Sequence, residues 1–152
     1  MGTAGSLGLL PKNLPNLPIL MMNGDVLTKV NFEHLLTFHK EQDSIATMCI
    51  REYDVQIPFG VVNIEEQQVK NIEEKPIEKY FVNAGIYVLQ PELVNKVKPN
   101  TPIDMPNLLE KQIKEGSSVS VFPIHEYWLD IGHMKEYESV NVSLNNGFTL
   151  DD

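Results

Sequence analysis

Pro18-Ile19-Leu20-Met21-Met22-Asn23-Gly24-Asp25 is the stretch on which the reading of this chain turns. Ile19–Met22 is too short for an ordinary helix and apolar without alternation, the pattern of a strand buried on both faces. Asn23-Gly24-Asp25 then closes it with turn-forming residues. Downstream, Asn31 can cap a helix over Phe32–Glu41, in which Phe32, Leu35, Leu36 and His39 share a face. Ser44–Arg51 alternates as a strand does, and Phe59–Ile64 with Gln68–Ile72 reads as a strand pair about Glu65-Glu66-Gln67. Ala84–Gln90 is a further strand stopped by Pro91, with a short helix over Glu92–Val97. Pro106 suits the first turn of a helix carrying Leu108, Leu109 and Ile113 and ending at Gly116. Val119–Ile124 and Tyr127–Ile131 follow as strands, and a last helix over Met134–Leu144 would bury Tyr137, Val140 and Leu144. Upstream, residues 1–17 are rich in Gly, Pro and Asn and read as loop, with one short helical piece around Ser6–Leu10. Strands alternating with helices make the class α/β, and the adjacent strands near residues 59–72 point to a mixed sheet.

Composition narrows the function classes. The 152 residues suit one domain with a core of its own. Hydrophobic residues at 42% and charged residues at 22% exclude an intrinsically disordered chain. Acids outnumber bases 21 to 12, and a net charge of −9 repels a phosphate backbone, so no nucleic-acid partner is expected. A nucleotide stays possible, because a few carboxylates can recruit Mg²⁺ to mask its phosphates. The single cysteine, Cys49, excludes an intramolecular disulfide and a multi-cysteine zinc site, and reads as a buried free thiol. No apolar run approaches the ~20 residues that span a bilayer. No signal-peptide pattern opens the chain either, so a cytoplasmic protein without a membrane partner is expected.

The chemistry-bearing residues are few. Asp25 stands where an apolar strand ends, and Asp130 stands within Trp128-Leu129-Asp130-Ile131-Gly132. Ligands of open α/β sheets bind beyond the carboxyl ends of strands, and two carboxylates meeting there suit Mg²⁺. Each also has an ordinary explanation: Asn-Gly-Asp is a common turn, and Asp130 could cap the last helix. Glu73-Glu74-Lys75-Pro76 puts a cation beside carboxylates ahead of a rigid residue, although such charge runs are usually only solvated surface. Asn83-Ala84-Gly85-Ile86-Tyr87 opens a strand with a glycine, the mark of either a bulge or a close backbone approach by a ligand. Gly2-Thr3-Ala4-Gly5 is a small-residue loop whose N–H groups a ligand could reach. His34, His39, His125 and His133 show no metal-ligand spacing beyond a helical pair five apart. No G-x-S-x-G, Walker A or Rossmann fingerprint occurs.

The order of these pieces is more specific than any one of them. Gly2-Thr3-Ala4-Gly5, Asn23-Gly24-Asp25, Phe59-Gly60-Val61-Val62, Glu74-Lys75-Pro76, Asn83-Ala84-Gly85-Ile86-Tyr87 and Trp128-Leu129-Asp130-Ile131-Gly132 follow one another. In that order the chain resembles the sugar-1-phosphate nucleotidyltransferases, the mannose-1-phosphate guanylyltransferases in particular, from Gly2 to about Leu144. The resemblance implies a Rossmann-like mixed sheet with flanking helices, the nucleotide-diphospho-sugar transferase fold. It implies a nucleoside triphosphate and a sugar 1-phosphate as substrates, with GTP favoured, and Mg²⁺ as cofactor. Asp25 and Asp130 match the metal-binding carboxylates. Gly2, Thr3, Ala4, Gly5, Asn23 and Gly24 match the residues around the nucleotide. Gly60, Glu74, Asn83, Gly85 and Tyr87 resemble the sugar site, and Lys75 the lysine that grips the sugar phosphate.

One family element is not found: the strand and glycine-rich loop of the form G-x-G-x-R-L-x-P-L-T that members carry near their start. Residues 1–144 therefore read as a partial nucleotidyltransferase domain lacking its N-terminal strands, with residues 145–152 a tail. The expectations are that the isolated chain is inactive or nearly so and that it self-associates to cover exposed edges. A non-catalytic regulatory or assembly module of the same fold is the alternative, and Asp25 and Asp130 together speak against it.

Overall fold

Buried on both faces from Ala84 to Leu89, one strand organises the core of the protein. The computed structural model describes residues 2–11 and 13–132. A short 3₁₀ helix at Gly5–Leu9 comes first, then strands β1 (Ile19–Met22) and β2 (Val26–Thr28), helix α1 (Phe32–Glu41) and strand β3 (Ala46–Gln56). Next come β4 (Gly60–Glu65), β5 (Gln68–Glu74) and β6 (Ile77–Leu89). Helices α2 (Pro91–Asn95) and α3 (Met105–Lys114) and strands β7 (Val119–Pro123) and β8 (Trp128–Asp130) complete the described chain. The helix read over Met134–Leu144, the tail at 145–152 and His133 lie outside the described residues.

The chain divides into two units. One comprises the described residues up to Ile50 together with those from Asn83 onward; the other is Arg51–Val82. The first unit carries a four-stranded sheet in the order β1-β6-β3-β7, with β1 antiparallel to β6 and β3 parallel to β7, so the sheet is mixed. Residue alternation along β6 divides its side chains between two cores. Ala84, Ile86 and Val88 join Leu35 of α1, Cys49 of β3 and Val26, Val30 and Ile124. Tyr87 and Leu89 join Ala4, Leu7, Leu93, Val94, Met105, Leu108 and Leu109, from the 3₁₀ helix, α2 and α3. Helices thus cover both faces, which is why the strand sequence is continuously apolar.

Local chemistry explains the element ends. Asn31 Oδ1 accepts the His34 N–H at 3.0 Å and starts α1. Helix α3 ends in a left-handed Gly116 at φ +88, where Gly116 N–H donates to Ile113 and Ser117 N–H to Gln112 at 3.0 and 2.9 Å. Several details differ from the sequence reading. Strand β1 is not buried on both faces: it stands at one end of the sheet order and leaves Leu20 and Met22 39% and 44% exposed. Ile113 faces outward from α3, and Gln112 is the buried residue, held by the Lys96 ammonium and the Glu115 carboxylate. Strand β6 starts at Ile77, seven residues before Ala84, through residues whose exposure hides any alternation. Strand β2, three residues long, is too short to register as a pattern and pairs with β8.

The Arg51–Val82 unit contains the β4–β5 ribbon, joined by Glu66 and Gln67 at φ +46 and +72. Positive φ at both loop positions is the two-residue hairpin geometry that matches strand twist. Ion pairs Lys70–Glu65 at 3.0 Å and Lys79–Glu52 at 2.7 Å decorate this unit.

Candidate active site

The β2–β8 ribbon brings the two candidate metal carboxylates together. Val26 lies opposite Asp130 in this antiparallel pair, and the Ile131 N–H donates to the Asp25 carbonyl at 2.8 Å just beyond it. Asp130 Oδ1 accepts the Gly132 N–H at 2.8 Å. A methyl group at Gly132 would sit 3.0 Å from Asp130 Oδ1 and 3.2 Å from Asp25 Oδ2, so both carboxylates border one small gap. Asp25 is exposed and Asp130 half-buried, so water reaches the gap and lowers the cost of two like charges. Among the described residues no group of three or more His, Cys, Asp or Glu could cage an ion. Two carboxylates beside an open gap still fit Mg²⁺, which usually keeps waters and takes its other ligands from substrate phosphates.

Asn23, Asn83 and Gly85 converge where β1 meets β6. Asn23 N–H donates to the Gly85 carbonyl at 2.8 Å, and its side chain covers Gly85 so closely that a Cβ would lie 2.8 Å from Asn23 Nδ2. Gly85 itself is left-handed at φ +71, a conformation that glycine adopts without a Cβ penalty. Asn83 accepts the Gly85 N–H at 3.0 Å and donates from Nδ2 to the Tyr87 hydroxyl at 2.6 Å. The Tyr87 ring is only 1% exposed and belongs to the core. Burial pushes its hydroxyl pKa up, while the Asn83 hydrogen bond pulls it the other way. Tyr87 therefore meets its surroundings through Asn83. Trp128 Nε1 donates to the Ala84 carbonyl at 2.8 Å, fastening the strand that carries Asp130 to the strand that carries Gly85.

Within the Arg51–Val82 unit, Gly60 pairs with Glu74, and a methyl at Gly60 would sit 3.0 Å from Glu74 Oε2. Lys75 follows at φ +48 with its N–H on the Phe59 carbonyl at 3.3 Å, ahead of the buried Pro76. Lys70 and Lys79 are ion-paired, whereas the exposed Lys75 ammonium makes no ion pair among the described residues. Gly60, Glu74 and Lys75 are thus neighbours in one unit; Asp25, Asp130, Asn23, Asn83, Gly85 and Tyr87 belong to the other.

The Gly2–Gly5 loop is held from the α3 side. Thr3 N–H donates to Asp104 Oδ1 at 2.9 Å, Ala4 N–H to the Ile103 carbonyl at 2.9 Å, and Met105 N–H to Thr3 Oγ1 at 2.8 Å. Gly2, at φ +75, lies against the Ile103 carbonyl so closely that a Cβ there would overlap it. These donors are engaged inside the fold; Gly2 and Thr3 are exposed, while Ala4 and Gly5 are buried.

A model of the nucleotidyl transferase family matches residues 2–147, nearly the whole chain. The chain belongs to that family. Among curated relatives, a mannose-1-phosphate guanyltransferase of Debaryomyces hansenii is 29% identical over 93% of this chain and 41% of its own length. One of Pichia angusta is 31% identical over 91% of this chain and 40% of its own. The chain therefore spans about 40% of the length of these nucleotidyltransferases. A Bacillus anthracis structure assigned as a glucose-1-phosphate thymidylyltransferase, in complex with sucrose, superposes with a TM-score of 0.68 at 22% identity. The match covers 97% of this chain and 62% of that one. HddC from Yersinia pseudotuberculosis superposes with a TM-score of 0.65 at 20% identity, covering 94% of this chain and 62% of that one. These likenesses give the fold, the α/β nucleotide-diphospho-sugar transferase arrangement with its mixed sheet.

Three residues that bond to or border the candidate residues escaped the sequence reading. Trp128 and Gly132 flank Asp130 in its motif, yet Trp128 bonds the Ala84 carbonyl and a Cβ at Gly132 would crowd Asp25 Oδ2, groups remote in sequence. Asp104 stands at the N-cap position of α3, with its carboxylate turned to Thr3. Cys49 is buried as read; burial first, then the Glu126 charge, pushes its thiol up to about 12, which leaves it protonated and unreactive.

Proposed function

We propose that this chain serves the transfer of a nucleoside monophosphate from a nucleoside triphosphate to a sugar 1-phosphate, giving a nucleotide-diphospho-sugar and pyrophosphate. GTP is the favoured nucleotide, and mannose 1-phosphate is the first sugar to try. The observation that carries the reading is the Asp25–Asp130 pair facing one gap, in a family member whose relatives bear the name mannose-1-phosphate guanyltransferase.

An oxygen of the sugar phosphate attacks the α-phosphorus in line; the bond from that phosphorus to the bridging oxygen breaks and pyrophosphate leaves. No protein group becomes covalent, and the chain contributes positioning and charge. Asp25 and Asp130 would hold a divalent cation. When bound, Mg²⁺ supplies positive charge that offsets the charge developing at the α-phosphoryl group. Lys75 grips the sugar phosphate and reduces repulsion between two anions. By the family resemblance, Gly60 and Glu74 in one unit, and Asn83 and Gly85 in the other, are each candidates for the sugar hydroxyls, with Tyr87 setting Asn83 from the core. Gly2, Thr3, Ala4, Gly5, Asn23 and Gly24 border the nucleoside, with the loop's shape fixed by its bonds to the α3 side.

The 152 residues alone turn over slowly or not at all, because they contain no glycine-rich loop to hold the leaving pyrophosphate. In the cell we place the protein in the cytoplasm as a self-associating species. Supporting this, Phe59, Ile64, Ile72 and Phe81 of the Arg51–Val82 unit are 65–73% exposed, and such apolar surface favours a partner.

The test is Mg²⁺-dependent pyrophosphate release across four nucleoside triphosphates and several sugar 1-phosphates. The chain is assayed alone and joined to any coding sequence that adjoins it. Turnover in the longer product, greatest with GTP, supports the proposal. Silence in both, from well-folded protein, overturns it in favour of a regulatory or assembly module.

A further inference from the structure

The gap between Asp25 and Asp130 exists because position 132 has no side chain. Three described glycines, Gly2, Gly85 and Gly116, occupy the left-handed region that disfavours other residues; Gly132 does not. Backbone conformation therefore does not require glycine there. Space does: a methyl would approach Asp130 Oδ1 to 3.0 Å and Asp25 Oδ2 to 3.2 Å, both inside comfortable contact. Gly24, the neighbour of Asp25 in sequence, offers the contrast, since a methyl there meets nothing within 4 Å.

We propose that Gly132 is a specificity-determining residue that keeps the gap between Asp25 and Asp130 open to a small divalent cation. The inference rests on the reading of these two carboxylates as a metal pair and adds the residue that sets its dimensions. The two carboxylates differ in their freedom to yield to a methyl. Asp130 Oδ1 is tied to the Gly132 N–H at 2.8 Å, so withdrawing it sacrifices a hydrogen bond. Among the described residues no hydrogen bond or ion pair holds the exposed Asp25 side chain in the same way, so it gives way and the two oxygens spread. A small cation needing short, near-octahedral bonds then loses a ligand. Ca²⁺, which accepts longer bonds and irregular geometry, loses less. Selectivity as well as affinity thus depends on an absent side chain.

The test is Mn²⁺ binding to the full chain by electron paramagnetic resonance, Ca²⁺ binding by competition against Mn²⁺, and thermal melting, for wild type and Gly132→Ala. The expected result is an unchanged melting temperature, Mn²⁺ affinity lower by about tenfold or more, and a smaller loss for Ca²⁺. A merely loosened fold would weaken both ions alike and melt earlier, which would overturn the proposal. Equal Mn²⁺ affinity in the two proteins would also overturn it, while leaving the metal pair intact. Failure of the wild type to bind Mn²⁺ saturably would overturn the metal-pair reading itself.

Discussion

A Cβ added at Gly85 would meet two penalties at once, a left-handed backbone at φ +71 and the Asn23 amide at 2.8 Å. Gly85→Ala should therefore destabilise the fold by about 1–3 kcal/mol, read as a lower midpoint in chemical denaturation. A midpoint equal to wild type would show that Asn23 moves aside freely. Single residues also show what sequence could reveal. Asp25 and Asp130 were legible because each closes an apolar stretch, where a carboxylate is conspicuous. Their meeting was not, since it depends on Val26 lying opposite Asp130 across roughly a hundred residues of chain. Tyr87 illustrates the converse: its place in an ordered motif suggests contact with sugar, whereas burial makes it a core residue acting through Asn83.

At the scale of elements, α1 and α3 were legible from their ends because caps and C-terminal glycines act locally. Asn31 and Gly116 do what their chemistry suggests. The short β2–β8 ribbon was illegible as a pair: a three-residue strand has no measurable period, and its register comes from a partner distant in the chain. The same limit applies at the start of α3. Asp104 is the N-cap residue, yet Thr3 takes the Met105 N–H while the Asp104 carboxylate takes the Thr3 N–H. This exchange ties a loop implicated in nucleotide binding to a helix terminus, an arrangement no sequence window contains. In the β4–β5 ribbon, by contrast, the turn was found although it lacks glycine and asparagine, because the flanking apolar residues fixed its position.

For the whole molecule, the sheet covered on both faces leaves a histidine deep between its layers. His39 is fully buried on α1, with Nδ1 2.8 Å from Thr47 Oγ1 and Nε2 3.0 Å from Gln90 Nε2. The Gln90 amide nitrogen donates, so Nε2 accepts and Nδ1 carries the proton toward Thr47. Burial lowers the His39 pKa below its usual 6.5. The unfolded chain therefore takes up a proton as pH falls below about 6.5, while the folded chain resists until its own lower value. This contribution to stability is complete above 6.5 and is lost as pH falls through the folded-state pKa. The midpoint of urea unfolding should accordingly fall between pH 7.5 and 5, and His39→Gln should show a smaller fall. An equal fall in both proteins would assign the pH dependence to other groups.

The central claim is that Asp25 and Asp130 form a metal-dependent nucleotide-sugar site, and binding tests it without requiring turnover. GDP-mannose titrated calorimetrically into the 152-residue chain, with Mg²⁺ and then with EDTA, is the most direct measurement. The account predicts saturable binding with Mg²⁺ that weakens by about tenfold or more in EDTA and in Asp25→Asn. Binding indifferent to both, or none at millimolar ligand by a folded chain, would contradict it.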